Sequence, residues 1–214
     1  MTAAMPLDSA RHDSLVDASR FFTALYAGHT GHLELRTVPL EQTSESRRTA
    51  AMLRDFVPVV AGKFDARRID RFIKGTAARR MAAYYGVALR TPASATDRRG
   101  GAIYCQTLTA LFVDADFKHL GEAVTRQRLA EFAIPPSIVV NSGGGLHPYW
   151  LLRQPFDLQR DYTGAQAILR RLANSIADVV DVSVSEPARV LRIPGSFNFK
   201  KEYAQPRPVV VERL

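Results

Sequence analysis

The 214 residues are 46% hydrophobic and 23% charged, enough apolar content to bury a core as one large domain or two tightly fused subdomains. The single cysteine, Cys105, excludes an internal disulfide framework and a cysteine-based zinc cluster, so chemistry is sought in carboxylates, histidines and cations. A net charge of +8 favours a polyanionic partner by attraction to phosphates, although a basic surplus also serves solubility alone.

In chain order, residues 1–13 read as a disordered leader, because Asp8, Arg11, His12 and Asp13 interrupt any signal-peptide core. No run approaches the roughly eighteen apolar residues of a membrane span, so a cytoplasmic location without a membrane partner is expected. Residues 14–26 place Leu15, Ala18, Phe21, Phe22 and Leu25 at helical spacing, with Asp13 or Ser14 to cap and Gly28 to stop. Residues 32–40 alternate as a strand through Leu33, Leu35 and Val38. Next come Arg47, Arg48, Arg54, Lys63, Arg67, Arg68, Arg71, Lys74, Arg79, Arg80 and Arg90. This basic stretch suits either a phosphate-tracking surface or a solvated helix face, and a helix over 65–83 with a break near Gly75 is expected. A short strand over 84–90 leads into a Ser/Thr/Asp/Arg/Gly run to Gly101 that reads as a mobile loop. A central strand is expected over 104–113, a helix over 122–132 stopped by Pro135-Pro136, and a strand over 138–141. A second strand runs through 149–152, a long amphipathic helix over 158–177, and late strands over 190–193 and 209–211. The pattern is α/β (α+β) with mixed sheets, and its hairpin signals argue against an all-parallel sheet.

Three segments carry chemistry. In Leu111-Phe112-Val113-Asp114-Ala115-Asp116, residues i and i+2 of a strand share a face, which sets the two carboxylates roughly 7 Å apart at the backbone. Such a pair can embrace two divalent cations about 4 Å apart, as in-line phosphoryl transfer uses; a solvated strand end is the plainer reading. In Asn141-Ser142-Gly143-Gly144-Gly145-Leu146-His147, three glycines are costly for a simple hairpin but suit a turn that lets a ligand approach backbone N–H groups. Ser142 and His147 then point to phosphate binding, against a flexible turn with a structural histidine. In the segment from Asp181 to Lys200, Asp181 could complete a three-carboxylate set. Arg189 and Arg192 lie three apart, so on an extended strand they face opposite sides and only one easily reaches the metal face.

Taken in order, these segments resemble the archaeo-eukaryotic primase superfamily, in its primase-polymerase branch from plasmids, phages and other mobile elements. The resemblance rests on the apolar strand ending in Asp114 and Asp116, on Ser142, His147, Tyr149 and Trp150 of a Ser-Gly-Gly-Gly-x-His-x-Tyr-Trp element, on Val180-Asp181, and on the run from Arg189 to Lys200. It implies an N-terminal subdomain over 14–100 and an RRM-like metal-binding sheet over 101–214. It implies a template-directed nucleotidyltransferase, a DNA primase or polymerase, working with two Mg²⁺ or Mn²⁺ ions held by Asp114, Asp116 and Asp181, with Asp178 and Glu186 as alternatives to Asp181. Ser142 and His147 would bind the phosphates of the NTP or dNTP. Arg189, Arg192 and Lys200 would contact triphosphate or template, with Arg36 and Arg90 further candidates. Primed or single-stranded DNA is the expected partner, with a helicase or accessory helical domain in many relatives. A core without such helices is expected to extend primers more readily than it starts them. A two-metal nuclease and a non-catalytic nucleic-acid-binding replication module are the rival readings.

Overall fold

The computed structural model describes residues 14–38, 53–180, 182 and 185–214. The expected leader, Arg47, Arg48 and Asp181 lie outside them. Helix α1 spans Ser14–Leu25, followed by strands β1 (Gly31–Thr37) and β2 (Asp55–Val59), helix α2 (Ala66–Ala77), and strands β3 (Ala83–Gly86) and β4 (Leu89–Arg90). A short helix α3 (Pro92–Asp97) precedes the long strand β5 (Cys105–Phe112) and the two-residue β6 (Ala115–Asp116). Helix α4 (Glu122–Ala130), strands β7 (Ile138–Asn141) and β8 (Gly145–Asp157), and helix α5 (Tyr162–Asn174) follow. The chain then adds β9 (Val190–Arg192), β10 (Phe197–Asn198), β11 (Arg207–Pro208) and β12 (Val210–Arg213).

Ten of these strands form one sheet in the order β12-β7-β8-β5-β4-β1-β3-β9, with β2 also pairing β1 and β6 also pairing β8; β10 and β11 pair separately. Each of these ladders is antiparallel, the arrangement that short connections permit. The architecture is α+β. Strand β4 joins β5 in the same sheet, Leu89 pairing Thr107 and Arg90 pairing Cys105 with a register shift between them.

The core forms because α1 and β8 present aromatic rings to the same space. Phe21 and Phe22 of α1 meet Tyr85 edge-on at 5.5 and 5.1 Å, and Phe21 meets Tyr149 at 5.3 Å, the geometry that ring quadrupoles favour. The Tyr85 hydroxyl donates to that of Tyr149 at 2.7 Å, so neither is left unpaired in the interior. A second apolar cluster gathers Leu129 of α4, Ala173 of α5, Leu146 and Trp150. Tyr149 belongs to the first cluster and Trp150 to the second, as the alternation of a strand dictates.

Several elements differ from expectation, among them the strand expected over 84–90, which a bend at Val87 and Ala88 divides into β3 and β4. Helix α2 ends at Ala77 rather than near residue 83, and Gly75 does not break it; Asp65 caps its start by accepting from Arg68 N at 3.0 Å. The expected loop before Gly101 contains α3, because Pro92 occupies a first-turn position where its missing N–H is no loss. Tyr104 Oη also donates to Asp97 at 2.7 Å and fastens that helix.

A buried ion pair ties the N-terminal strands together. Arg90 Nε donates to Glu34 Oε2 at 3.0 Å, and both side chains are essentially unexposed. The pairing of His32 with Arg90 across β1 and β4 brings Glu34 within reach. The remaining guanidinium nitrogens contact Cys105 Sγ and donate to the Ala188 carbonyl at 3.3 Å. Glycines make room: a Cβ at Gly86 would strike the Arg90 guanidinium, and one at Gly100 the Glu34 carboxylate. Arg90→Met is therefore expected to lower the unfolding free energy by about 1–3 kcal/mol, since it removes the nearest of three cations from a buried carboxylate and leaves Arg54 at 3.5 Å and Arg36 at 3.9 Å. Glu34→Met combined with Arg90→Met should recover a large part of that loss in urea denaturation.

Candidate active site

Strand β8 has three partners, and their registers build the site. Its first residues, Gly145 and Leu146, pair with Asp116 and Ala115 of β6. His147 pairs with Val140 of β7, and Tyr149 onward pairs with β5. Asp114 falls in the gap between β5 and β6, whose pairings with β8 share one register (Phe112 with Tyr149, Ala115 with Leu146), so the chain carries on in line past the gap. Both carboxylates open onto one cavity of about 200 Å³.

The glycine run from Gly143 to Gly145 turns beside the cavity, and Gly144 and Gly145 line it. Gly143 takes φ of 76°, a left-handed conformation that suits glycine. Gly145 lies so close to β6 that a Cβ would strike the Ala115 carbonyl. The turn is fastened by neighbours: Ser142 Oγ donates to the Gly145 carbonyl at 3.1 Å, Asn198 Nδ2 to the Ser142 carbonyl at 3.1 Å, and Arg207 Nη1 to the Gly143 carbonyl at 3.1 Å. Asn198 and Arg207 belong to the β10–β11 hairpin. That hairpin thus locks the glycine turn, a role that no motif in the sequence announces.

Charge is concentrated around Asp114. His147 Nε2 lies 3.5 Å from Asp114 Oδ1, and Arg189 Nη2 donates to Oδ2 at 3.3 Å. Burial pushes the Asp114 carboxyl upward, but His147 and Arg189 outweigh it and hold the group well below the usual carboxylate range. Asp116 faces Lys118 Nζ at 3.4 Å and Lys200 Nζ at 3.8 Å. The buried His147 finds no hydrogen-bond partner for its Nδ1 among the described residues.

The structure brings together Asp114, Asp116, Ser142, His147, Arg189, Arg192 and Lys200 on the wall of this cavity. Arg189 and Arg192 both reach it, contrary to the strand-parity expectation, because β9 begins at Val190 and leaves Arg189 in the preceding turn. Tyr84 also lines the cavity, unannounced by any motif, with the Arg192 guanidinium 5.3 Å from its ring centroid. Arg90 is elsewhere, buried against Glu34. Arg36 is opposite Tyr84 across the strands and turns to Glu34 at 3.9 Å; it does not line the cavity. Asp178 accepts from Arg128 Nε at 2.7 Å, and Glu186 is exposed outside the lining. Asp181 lies outside the described residues, and its predecessor Val180 bridges Ala115, between the two carboxylates.

Solved structures show what this architecture is. The AEP domain of the cyanophage S-2L primase-polymerase aligns with a TM-score of 0.52 at 13% identity, covering 85% of this chain and 80% of that one. This is the archaeo-eukaryotic primase fold. Primase RepB′ aligns with a TM-score of 0.55 at 15% identity over 94% of this chain, which spans 56% of that protein. The catalytic domain of primase RepB′ in complex with initiator DNA aligns at 0.52 and 15% identity, covering 92% and 85%. No protein-family model and no curated protein matches the sequence. No helix among the described residues is long and apolar enough to cross a membrane.

The close approach at Gly145 makes a prediction. Gly145→Ala should force β6 away from β8 and cost about 1–3 kcal/mol in chemical denaturation, as overpacking against backbone does. Gly101→Ala, where a Cβ meets nothing within 4 Å, should leave stability unchanged.

Proposed function

We propose that this chain is a metal-dependent nucleotidyltransferase of the primase-polymerase kind, joining nucleotides on a DNA template. The observation that carries the reading is the convergence of Asp114 and Asp116 with the Ser142 glycine turn, His147 and three cations on one cavity, within the primase fold. RepB′ is described with initiator DNA, which supports DNA as the polymer here.

The donor set fits Mg²⁺ or Mn²⁺, since carboxylate oxygens are the hard ligands those cations prefer. Asp114 and Asp116 would hold the ions. We assign the third carboxylate to Asp181, because Val180 bridges Ala115 while Asp178 is engaged by Arg128. When bound, such ions neutralise phosphate charge and acidify the attacking 3′-hydroxyl.

The chain's own groups do the rest. Arg189 holds Asp114 ionised and oriented, so its oxygens need no reorganisation to receive a cation. His147, with its ring already fixed against Asp114, binds a phosphate oxygen of the NTP or dNTP. Ser142 keeps the glycine turn in the shape that lets a phosphate approach. Arg192 and Lys200 neutralise charge that develops on the triphosphate and leaving pyrophosphate. Tyr84 supplies an apolar wall beside them.

Asp114→Ala and Asp116→Ala should each abolish Mg²⁺- or Mn²⁺-dependent extension of a labelled primer while leaving DNA binding within about twofold, because template affinity rests on backbone contacts. Retained extension in either variant defeats the assignment. The same assay separates the rivals: a polymerase lengthens the strand, a nuclease shortens it and a pure binder does neither. DNA affinity should also fall steeply with added salt, with a linear log–log dependence.

A further inference from the structure

Helix α2 ends in a turn whose last residue departs from ordinary backbone. Arg79 N donates to Thr76 O, Arg80 N to Ala77 O, and Met81 N returns to Thr76 O at 3.0 Å. Arg80 closes this turn at φ 53°, a left-handed position where glycine or asparagine is expected and other side chains are strained. Arg98 adopts φ 51° too, but reciprocal bonds account for it: its Nη2 donates to the Arg54 carbonyl at 2.7 Å, and Arg54 Nη1 donates to the Arg98 carbonyl at 3.1 Å. Arg80 makes no such return bond among the described residues.

The side chain of Arg80 is exposed, and its guanidinium lies 5.7 Å from the ring centroid of Phe199. Neighbouring cations are engaged elsewhere: Arg68 by Asp55, Arg71 by Asp65, Lys74 by Asp70, and Arg79 by the Gly75 carbonyl. Phe199 immediately precedes Lys200, which lines the cavity and approaches Asp116. Arg80 thus rests on the residue that adjoins Lys200 of the cavity wall, without lining the cavity itself. A guanidinium resting on a ring face keeps its N–H edges free, and those edges match phosphate oxygens in pairs.

We propose that Arg80 is a phosphate-contact residue that grips the sugar-phosphate backbone of the nucleic-acid strand outside the cavity, and that this role explains an arginine at a strained position. The inference rests on the polymerase reading above. Arg80 does not line the cavity that would hold the nucleotide, which assigns the phosphates to the strand.

The test uses the full chain, labelled single-stranded and primed oligodeoxynucleotides, and fluorescence anisotropy across a salt titration, without metal or nucleotide. Arg80→Gly and Arg80→Asn both relieve the left-handed strain, so thermal melting should be unchanged or higher in each. Both should weaken DNA binding roughly threefold to tenfold at low salt and make the log–log salt slope shallower by about one. Unchanged affinity and slope in the two variants overturn the proposal. So does a loss confined to Arg80→Gly, which would indicate chain flexibility, or a loss seen only as a raised nucleotide KM in primer extension. A wild-type chain that binds no DNA removes the polymerase reading together with this one. A wild type that binds and extends while both variants bind like it removes this one alone.

Discussion

The register of β8 is the constraint on which the site depends. One strand pairs β7 along its first half, β6 at its first two residues and β5 along the remainder. A one-residue slip would exchange the faces of His147, Tyr149 and Trp150. It would put the indole of Trp150 into the aromatic cluster of α1 and the Tyr149 hydroxyl away from Tyr85. Burial on both sides of the sheet therefore fixes the register, and the same register sets Gly145 opposite Asp116. The core energetics and the placement of the carboxylates are one fact.

Charge decides how that placement is used. Two carboxylates alone would repel a triphosphate. Here Arg189 and His147 bracket Asp114, while Lys118 and Lys200 approach Asp116. The pairs made by Arg189, Lys118 and Lys200 are partly exposed, so their contribution to stability is small, on the order of 0–1 kcal/mol each. Their importance lies in orientation: a carboxylate held ionised between fixed cations is ready to take a divalent ion, and the cations then face the phosphate.

Much of this was legible in the residues because motifs encode local geometry. Asp114, Asp116, Ser142, His147 and Lys200 lie within short segments whose turns and strands place them, and the cavity gathers all five. Longer-range relations were not legible. Arg90 looks like any basic residue until Glu34, 56 positions away, is seen against it. Tyr84 lies in an ordinary strand, and only the antiparallel pairing of β3 with β9 brings Arg192 opposite it. Strand parity misjudged Arg189 because the parity rule holds only inside a strand, and β9 starts one residue later. The helix α3 was missed because small polar residues read as loop, while Pro92 and the Tyr104–Asp97 bond favour a helical turn.

The buried Glu34–Arg90 pair links the core to this chemistry. A buried ion pair commonly stabilises no better than apolar residues of the same volume, so stability alone does not account for it. Arg90 has a further bond that an apolar residue could not make, to the Ala188 carbonyl. The next residue, Arg189, has its own carbonyl held by Val87 N at 3.1 Å, in the β3–β4 turn just upstream of Arg90. The turn before β9 is thus fastened at two successive carbonyls from one side, which leaves the Arg189 side chain directed to Asp114. Glu34 neutralises and orients the guanidinium that makes one of those bonds. A charge placed deep in the N-terminal strands thereby sets the position of a cation in the site.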